Sequence, residues 1–127
     1  MKIFKLSILM LALVATAALL YGATTVPIVV SPNVLNLDSQ GVWVTVHAEI
    51  PYSIVEGASV TLNGIPVDAT FADSRGDLVA KFIIEKVKDY VTSGCDVPGD
   101  VTLTLTGDST EGPFSGTDTI QVIAPRR

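Results

Sequence analysis

Cysteine, histidine and tryptophan each occur only once in the chain, as Cys95, His47 and Trp43. A single cysteine excludes a disulfide within the chain, so the domain must be held together by packing. One histidine and one cysteine are also too few for a zinc site, which takes four ligands. Nucleophilic catalysis needs a base within hydrogen-bonding reach, and the sequence offers no complete set of such partners. We therefore predict that the protein is not an enzyme and has no catalytic residues.

Basic residues are scarce as well, with eight Lys and Arg against thirteen Asp and Glu. Two of the eight, Lys2 and Lys5, lie at the very N-terminus, so the rest of the chain carries six basic residues against thirteen acidic ones. Nucleic-acid binding depends on clustered positive charge, and electrostatic binding to an anionic membrane surface does too. The composition argues against both kinds of partner.

An uncharged, strongly apolar run follows these two lysines and extends from Leu6 to Ala23. A basic N-terminus followed by an apolar stretch is typical of a secretory signal peptide. The length also approaches the roughly 20 residues that span a bilayer, so an N-terminal anchor that is not cleaved is the alternative, and the only membrane contact we predict. We assign residues 1–23 to a hydrophobic signal helix and residues 24–127 to one secreted or cell-surface domain.

The remaining chain alternates between apolar and polar residues with a period of two, which is the pattern of half-buried strands. The clearest case is "VWVTVHAEI", residues 42–50. Its two faces are predicted to be Val42, Val44, Val46, Ala48 and Ile50 inward, and Trp43, Thr45, His47 and Glu49 outward. "VTLTLTG" repeats the pattern, with Val101, Leu103 and Leu105 inward and three threonines outward.

Turn signals separate these segments at short intervals, among them Asn63-Gly64 and the stretch from Asp73 to Gly76. Asn-Gly between apolar runs favours a tight hairpin. One segment instead has apolar residues at helical spacing and predicts a short helix near residues 85–93. The fold class is therefore all-β, an immunoglobulin-like antiparallel β-sandwich of about seven to nine strands with one short helix.

Four segments in this order resemble a known module: "SPNVLNLDSQGVWVTVHAEIP", "SVTLNGIPVDA", "DLVAKFIIEKVKDYV" and "GDVTLTLTGDSTEGPFSGTDTIQVI". They are similar to the Ig-like β-sandwich found in secreted archaeal and bacterial surface proteins. The resemblance covers nearly all of residues 29–123 and implies the sandwich fold. For function it implies little, because such modules are usually adhesive or spacer domains of larger exported proteins.

Many members of that family carry a longer acidic loop that resembles a calcium site. Here the loop is reduced to "ADSRGD", which retains only Asp73 and Asp77. Asp96 and Asp100 lie in "GCDVPGD", residues 94–100, which could bind calcium jointly with "GDSTEG", residues 107–112, if several loops converge at one end of the sandwich. Calcium takes six to eight oxygen ligands, so these four residues are weak candidates and a calcium-binding accessory module is a minor alternative. We predict no other cofactor.

Two functional hypotheses remain. The first is a domain for binding or adhesion at the cell surface, with Trp43, Thr45 and His47 as the contact face and a surface protein, a glycan or a second copy as partner. The second is a subunit of an extracellular filament or sheath, in which residues 24–30 add to the sheet of a neighbour. The candidate residues for this strand donation are Val26, Ile28, Val29 and Val30. Pairing of this segment within its own domain is the competing interpretation.

Overall fold

The computed structural model describes residues 23–124, and the predicted signal helix lies outside them. The described chain forms ten strands, one 3-10 turn at Tyr52–Ile54 and one α-helix. The strands are β1 (Thr24–Thr25), β2 (Ile28–Ser31), β3 (Val34–Asn36), β4 (Trp43–Pro51), β5 (Val55–Leu62), β6 (Ile65–Pro66), β7 (Ala69–Ala72), β8 (Asp77–Ile83), β9 (Gly99–Ser109) and β10 (Gly112–Ile123), and the helix is α1 (Ile84–Gly94).

The strands form two sheets. The four-stranded sheet has the order β2-β4-β8-β7, and all its pairs are antiparallel. The six-stranded sheet has the order β1-β10-β9-β5-β6, with β3 also paired to β10. Within it, β1 and β3 run parallel to β10 and the other pairs are antiparallel. The predicted all-β sandwich is confirmed, with ten strands instead of about seven to nine because β1 and β6 have only two residues each.

The core lies between the sheets and follows the predicted alternation. On β4, the side chains of Val44, Val46, Ala48 and Ile50 are buried. Val42 was predicted to join them, and this is wrong, because Val42 precedes the strand and is 61% exposed. On β9, the inward residues are buried as predicted. The largest fully buried side chain belongs to Phe82 on β8.

The N-terminal segment "TVPIVV", residues 25–30, changes from one sheet to the other. The N–H of Val26 donates to the carbonyl of Ser115 on β10 at 2.8 Å, whereas the carbonyl of Pro27 accepts from the N–H of Glu49 on β4 at 3.0 Å. Proline has no N–H with which to continue a ladder, so β1 ends before it. The segment thereby spans the gap between the two sheets along one side of the sandwich.

Helix α1 connects β8 in one sheet to β9 in the other and packs against β8 and β4. Its buried residues are Ile84, Val87 and Val91, at the spacing of one helix face. The predicted range of 85–93 is therefore confirmed to within one residue at each end.

Both predicted hairpin turns are present. Asn63 and Gly64 have φ angles of 49° and 84° and connect β5 to β6, as an Asn-Gly turn of the left-handed type requires. The Asn63 side chain also donates to the Tyr90 hydroxyl at 2.7 Å and accepts from the N–H of Thr104 at 2.6 Å. Gly76, with φ of 87°, closes the turn between β7 and β8.

Candidate binding face

Trp43, Thr45 and His47 point away from the core along β4, because successive side chains of a strand alternate between its two faces. Trp43 is 39% exposed, His47 is exposed and Thr45 is half-buried. Since β4 lies between β2 and β8, these three side chains occupy the middle of the sheet and not its edge. The structure therefore brings the three predicted contact residues together on one surface.

The strand register places further side chains beside them. His47 lies opposite Val29 on β2 and Val79 on β8, and Val79 lies opposite Phe71 on β7. Residues directly opposite in antiparallel strands share a face. Val29 is 59% and Phe71 is 42% exposed. We use the term outer face for the surface formed by Val29, Trp43, Thr45, His47, Phe71, Val79 and Lys81.

Lys81 lies at the centre of the outer face, opposite Thr45 on the neighbouring strand. Its Nζ is 5.7 Å from the centroid of the Trp43 ring and 5.5 Å from that of the Phe71 ring. An ammonium within about 6 Å of an aromatic centroid is attracted to the ring by about 0.5–1 kcal/mol at exposed sites. The three side chains thus form one line that crosses β4, β8 and β7.

Val79 shows that the outer face has an apolar cluster of its own. Its neighbours Leu78 and Ala80 belong to the core, whereas Val79 is only 2% exposed and lies outside the core cluster. Because its side chain points to the opposite side of the sheet from theirs, the atoms that cover it come from other residues of the outer face. His47 and Phe71, which lie directly opposite Val79 on the two neighbouring strands, are the nearest of these residues.

Phe71, Val79 and Lys81 were not predicted as part of this surface. The available signal was the run "LVA", residues 78–80, which is apolar at three successive positions. A strand with apolar residues on both faces is covered on both sides. An additional contact on the solvent side of β8 could have been inferred from it.

The charges of the described residues are distributed unevenly around this face. Lys86 pairs with Asp68 at 3.2 Å, and Lys88 pairs with Glu85 at 3.1 Å. The other two basic residues between positions 23 and 124, Arg75 and Lys81, have no carboxylate oxygen within 4.0 Å of their side-chain nitrogens. Both lie on or beside the outer face.

A shallow cleft of about 210 Å³ continues the outer face toward the β7–β8 turn. His47 and Val29 line one side, and Asp73 and Arg75 of the turn line the other. Glu49 and Asp77 also contribute, so the cleft carries both signs of charge.

Asp73 organises the β7–β8 turn through its carboxylate. The oxygen Oδ1 accepts the N–H of Asp77 at 2.9 Å and the N–H of Arg75 at 2.8 Å. The hydrogen bond from Asp77 is the main reason that the pKa of the Asp73 carboxyl is lowered from 3.8. Partial burial raises this pKa, whereas the second hydrogen bond and the positive charges of Arg75 and His47 lower it further.

We expect this turn to loosen only in strong acid. A carboxyl whose pKa is lowered by folding contributes stability that is present above its unfolded pKa and is lost as the pH falls through the folded pKa. In an acid titration followed by NMR, the amide resonances of Arg75 and Asp77 should shift together, with a midpoint below 3.8. The variant Asp73→Asn keeps an acceptor oxygen and should lack this step. A midpoint at or above the ordinary value of aspartate would contradict the assignment.

The four weak calcium candidates do not converge. The N–H of Tyr52 donates to the carbonyl of Gly76 at 2.8 Å, and the carbonyl of Ile54 accepts the N–H of Thr110 at 2.8 Å. These bonds place the β7–β8 turn, with Asp73 and Asp77, at the end of the sandwich where β9 finishes.

Asp96 and Asp100 lie instead where β9 begins. This strand has eleven residues, so the two pairs are separated by about 30 Å at 3.3 Å per residue. In the range 23–124, no group of three or more His, Cys, Asp or Glu side chains is arranged to hold a metal ion.

The candidate donor residues pair within their own domain in this structure. Val26, Ile28 and Val30 are buried in the core and Val29 is exposed. All of β2 pairs with β4, from Ile28 opposite Ala48 to Ser31 opposite Thr45. The N–H of Val30, on the other side of the strand, donates to the Asp118 carboxylate at 2.9 Å.

None of the helices between residues 23 and 124 has the length and apolar character needed to cross a membrane.

Comparison with known proteins adds no relative from which a role could be transferred. A scan against protein-family models, a search of curated proteins and a search of solved structures each return no match for this chain.

Proposed function

We propose that the chain is an exported immunoglobulin-like domain that binds a component of the cell surface through its outer face, without catalysis. The strand order supports the Ig-like assignment. In Ig domains of the constant type, strands A, B, E and D form one sheet and strands C, F and G form the other. The order β2-β4-β8-β7 corresponds to the first sheet, and β5-β9-β10 to the second.

The observation that carries the binding role is the exposed aromatic surface at the centre of a sheet. Within residues 23–124, four of the five large exposed hydrophobic residues lie on or next to the outer face, namely Val29, Val42, Trp43 and Phe71. Clustered exposed apolar side chains mark interaction sites more often than scattered ones do. Buried aromatic anchors and a nearby cation are also the residue types that dominate binding energy at interfaces.

The surroundings of His47 support a contact role over a catalytic one. Its neighbours across both adjacent strands are valines, Val29 and Val79. Neither valine can exchange a proton with the imidazole or orient it by a hydrogen bond. Glu49, Asp73 and Asp77 line the cleft beside His47, but among residues 23–124 no carboxylate forms an ion pair with the imidazole. The export of the domain rests on the N-terminal sequence "MKIFKLSILMLALVATAALLYGA".

A pelleting assay with cell envelopes of the source organism tests this proposal. We expect purified residues 24–127 to bind the envelopes, and the double variant Trp43→Ala/Phe71→Ala to bind about tenfold more weakly or worse, because loss of an aromatic anchor costs about 2 kcal/mol. The two side chains are 39% and 42% exposed and lie outside the core, so we expect the variant to stay folded.

The matched control is Thr102→Ala/Thr119→Ala, which removes two exposed hydroxyls from the outside of the six-stranded sheet. These hydroxyls lie 3.0 Å apart and contact each other. We expect this variant to bind like the wild type. Equal binding by both double variants, or no binding by the wild type, would overturn the proposal.

A further inference from the structure

We infer that the outer face recognises an anionic polysaccharide whose sugar units carry carboxylates, an inference that rests on the proposed binding function. The juxtaposition that carries it is Lys81 held between the rings of Trp43 and Phe71, with Arg75 at the adjoining cleft. Flat aromatic rings suit the C–H faces of sugar rings, and an ammonium between them suits a carboxylate.

Charge complementarity favours an anionic ligand even though the domain is acidic. Lys86 and Lys88 are neutralised by partners within the chain, whereas Lys81 and Arg75 have no ion pair among the described residues. Charges separated by more than about 8 Å are largely screened at physiological salt. Glu49 on β4 and Asp77 on β8 each lie four residues from the Thr45–Lys81 pair, about 13 Å at 3.3 Å per residue, so their charges are largely screened at Lys81.

The acidic groups of the cleft determine where on the outer face a ligand carboxylate can lie. Glu49, Asp73 and Asp77 lie at the end of the outer face that adjoins the cleft. They repel a carboxylate placed there, and Arg75 offsets this only in part because its charge already acts on Asp73. The ligand carboxylate is therefore directed to Lys81, at the centre of the face.

A sugar chain fits this surface better than a peptide does. The backbone groups of β4 and β8 are engaged in ladders on both sides, so only side chains are presented. An extended peptide lying across them would bury N–H and C=O groups without partners, which is unfavourable. A sugar chain instead has C–H faces that can cover the rings, while its rim hydroxyls stay in contact with water.

A second copy of the chain is also disfavoured at this position. A twofold contact centred on the outer face would place Lys81 close to Lys81 of the other copy. Like charges brought together in a desolvated contact are destabilising. The same cation that attracts a carboxylate thus opposes self-association through this face.

Calorimetric titration of residues 24–127 with polygalacturonate tests the inference, with methyl-esterified polygalacturonate as the matched ligand. The ester masks the carboxylates and leaves the sugar chain intact. We expect binding of the first and at least tenfold weaker binding of the second. Lys81→Gln should lose about tenfold in affinity for polygalacturonate, as expected when a charge-assisted hydrogen bond is lost.

Two controls separate charge from sugar contact. Lys86→Gln removes one positive charge from an exposed side chain that already has a partner and should bind like the wild type. Polyglutamate carries carboxylates without sugar rings and should bind at least tenfold more weakly than polygalacturonate. Equal affinity for both polymers, an equal effect of Lys81→Gln and Lys86→Gln, or undiminished binding of the ester would each overturn the inference.

The outcomes for this inference and for the proposed function are distinct. If polygalacturonate does not bind while envelopes still retain the wild type and release Trp43→Ala/Phe71→Ala, the carboxylated glycan is wrong and the binding face stands. If both double variants bind envelopes equally, the proposed function fails whatever the calorimetry shows.

Discussion

Phe82→Ala should lower the free energy of unfolding by about 3–5 kcal/mol, the range for removing a buried aromatic ring. Phe82 lies on β8, between β4 and β7, and is fully buried in the core. The substitution removes the ring's apolar contacts and leaves a cavity that rigid strands on both sides can fill only in part. A domain of this size has about 5–15 kcal/mol of stability in all. Chemical denaturation followed by circular dichroism measures the loss.

Phe71→Ala is the matched control because it makes the same substitution on the adjacent strand. Phe71 is 42% exposed on the outer face, so its removal leaves no enclosed cavity, and we expect it to cost less than about 1 kcal/mol. The contrast between the two variants reports which face of the four-stranded sheet is inward. Similar losses for both would show that the register of β7 and β8 is wrong.

Gly116→Ala should destabilise the domain by about 3 kcal/mol, the upper end of the range for overpacking a core. A Cβ atom at Gly116 would collide with the carbonyl oxygen of Val26 and would lie 2.6 Å from Cγ2 of Ile28. The carbonyl belongs to the backbone and has no rotamer to adopt, so the N-terminal segment itself would have to move. Denaturant unfolding should show the loss, and proteolysis should be faster within residues 24–31.

Gly94→Ala controls for the general effect of adding a methyl group. Gly94 is the last residue of α1, and a Cβ there meets nothing within 4 Å. We expect no loss of stability in this variant. Equal stability of Gly116→Ala and the wild type would mean that residues 24–31 do not lie against β10.

Size-exclusion chromatography of the wild-type domain and of a variant without residues 24–30 distinguishes pairing within the domain from strand donation to a neighbour. With β1 and β2 paired in their own domain, residues 24–127 should elute as a monomer at all concentrations. Deletion of residues 24–30 removes Val26, Ile28 and Val30, whose burial stabilises the domain by about 1.5–3 kcal/mol each. We therefore expect the deletion to unfold the domain. A wild type that forms polymers with increasing concentration would instead favour the filament hypothesis.

The parts of the fold that sequence could predict are those governed by local patterns. The alternation in residues 43–50 identified the inward face of β4 because one side of the strand meets the core along its whole length. Asn63-Gly64 and Gly76 identified hairpin turns because few residues adopt positive φ. Helix α1 was also predicted from a local pattern, the helical spacing of its three buried residues.

The remaining features depend on contacts between distant segments. The passage of residues 24–31 from one sheet to the other follows from partners on β4 and β10, about 20 and about 90 residues away in the chain, and no local pattern specifies it. Val42 was misassigned because alternation does not indicate where a strand begins. The position of Lys81 between Trp43 and Phe71 depends on the pairing register of β4, β8 and β7, which the predicted turns alone do not determine.

Hydroxyl-radical footprinting of the envelope-bound protein tests the central claim, that the outer face is the binding surface, most directly. Trp43 and Phe71 are exposed in the free protein and should be oxidised readily. We predict that oxidation of both falls several-fold on binding, while that of Tyr90, half-buried on α1 and bonded to Asn63, is unchanged. Oxidation of Trp43 and Phe71 at the same rate in the bound as in the free protein would contradict the claim.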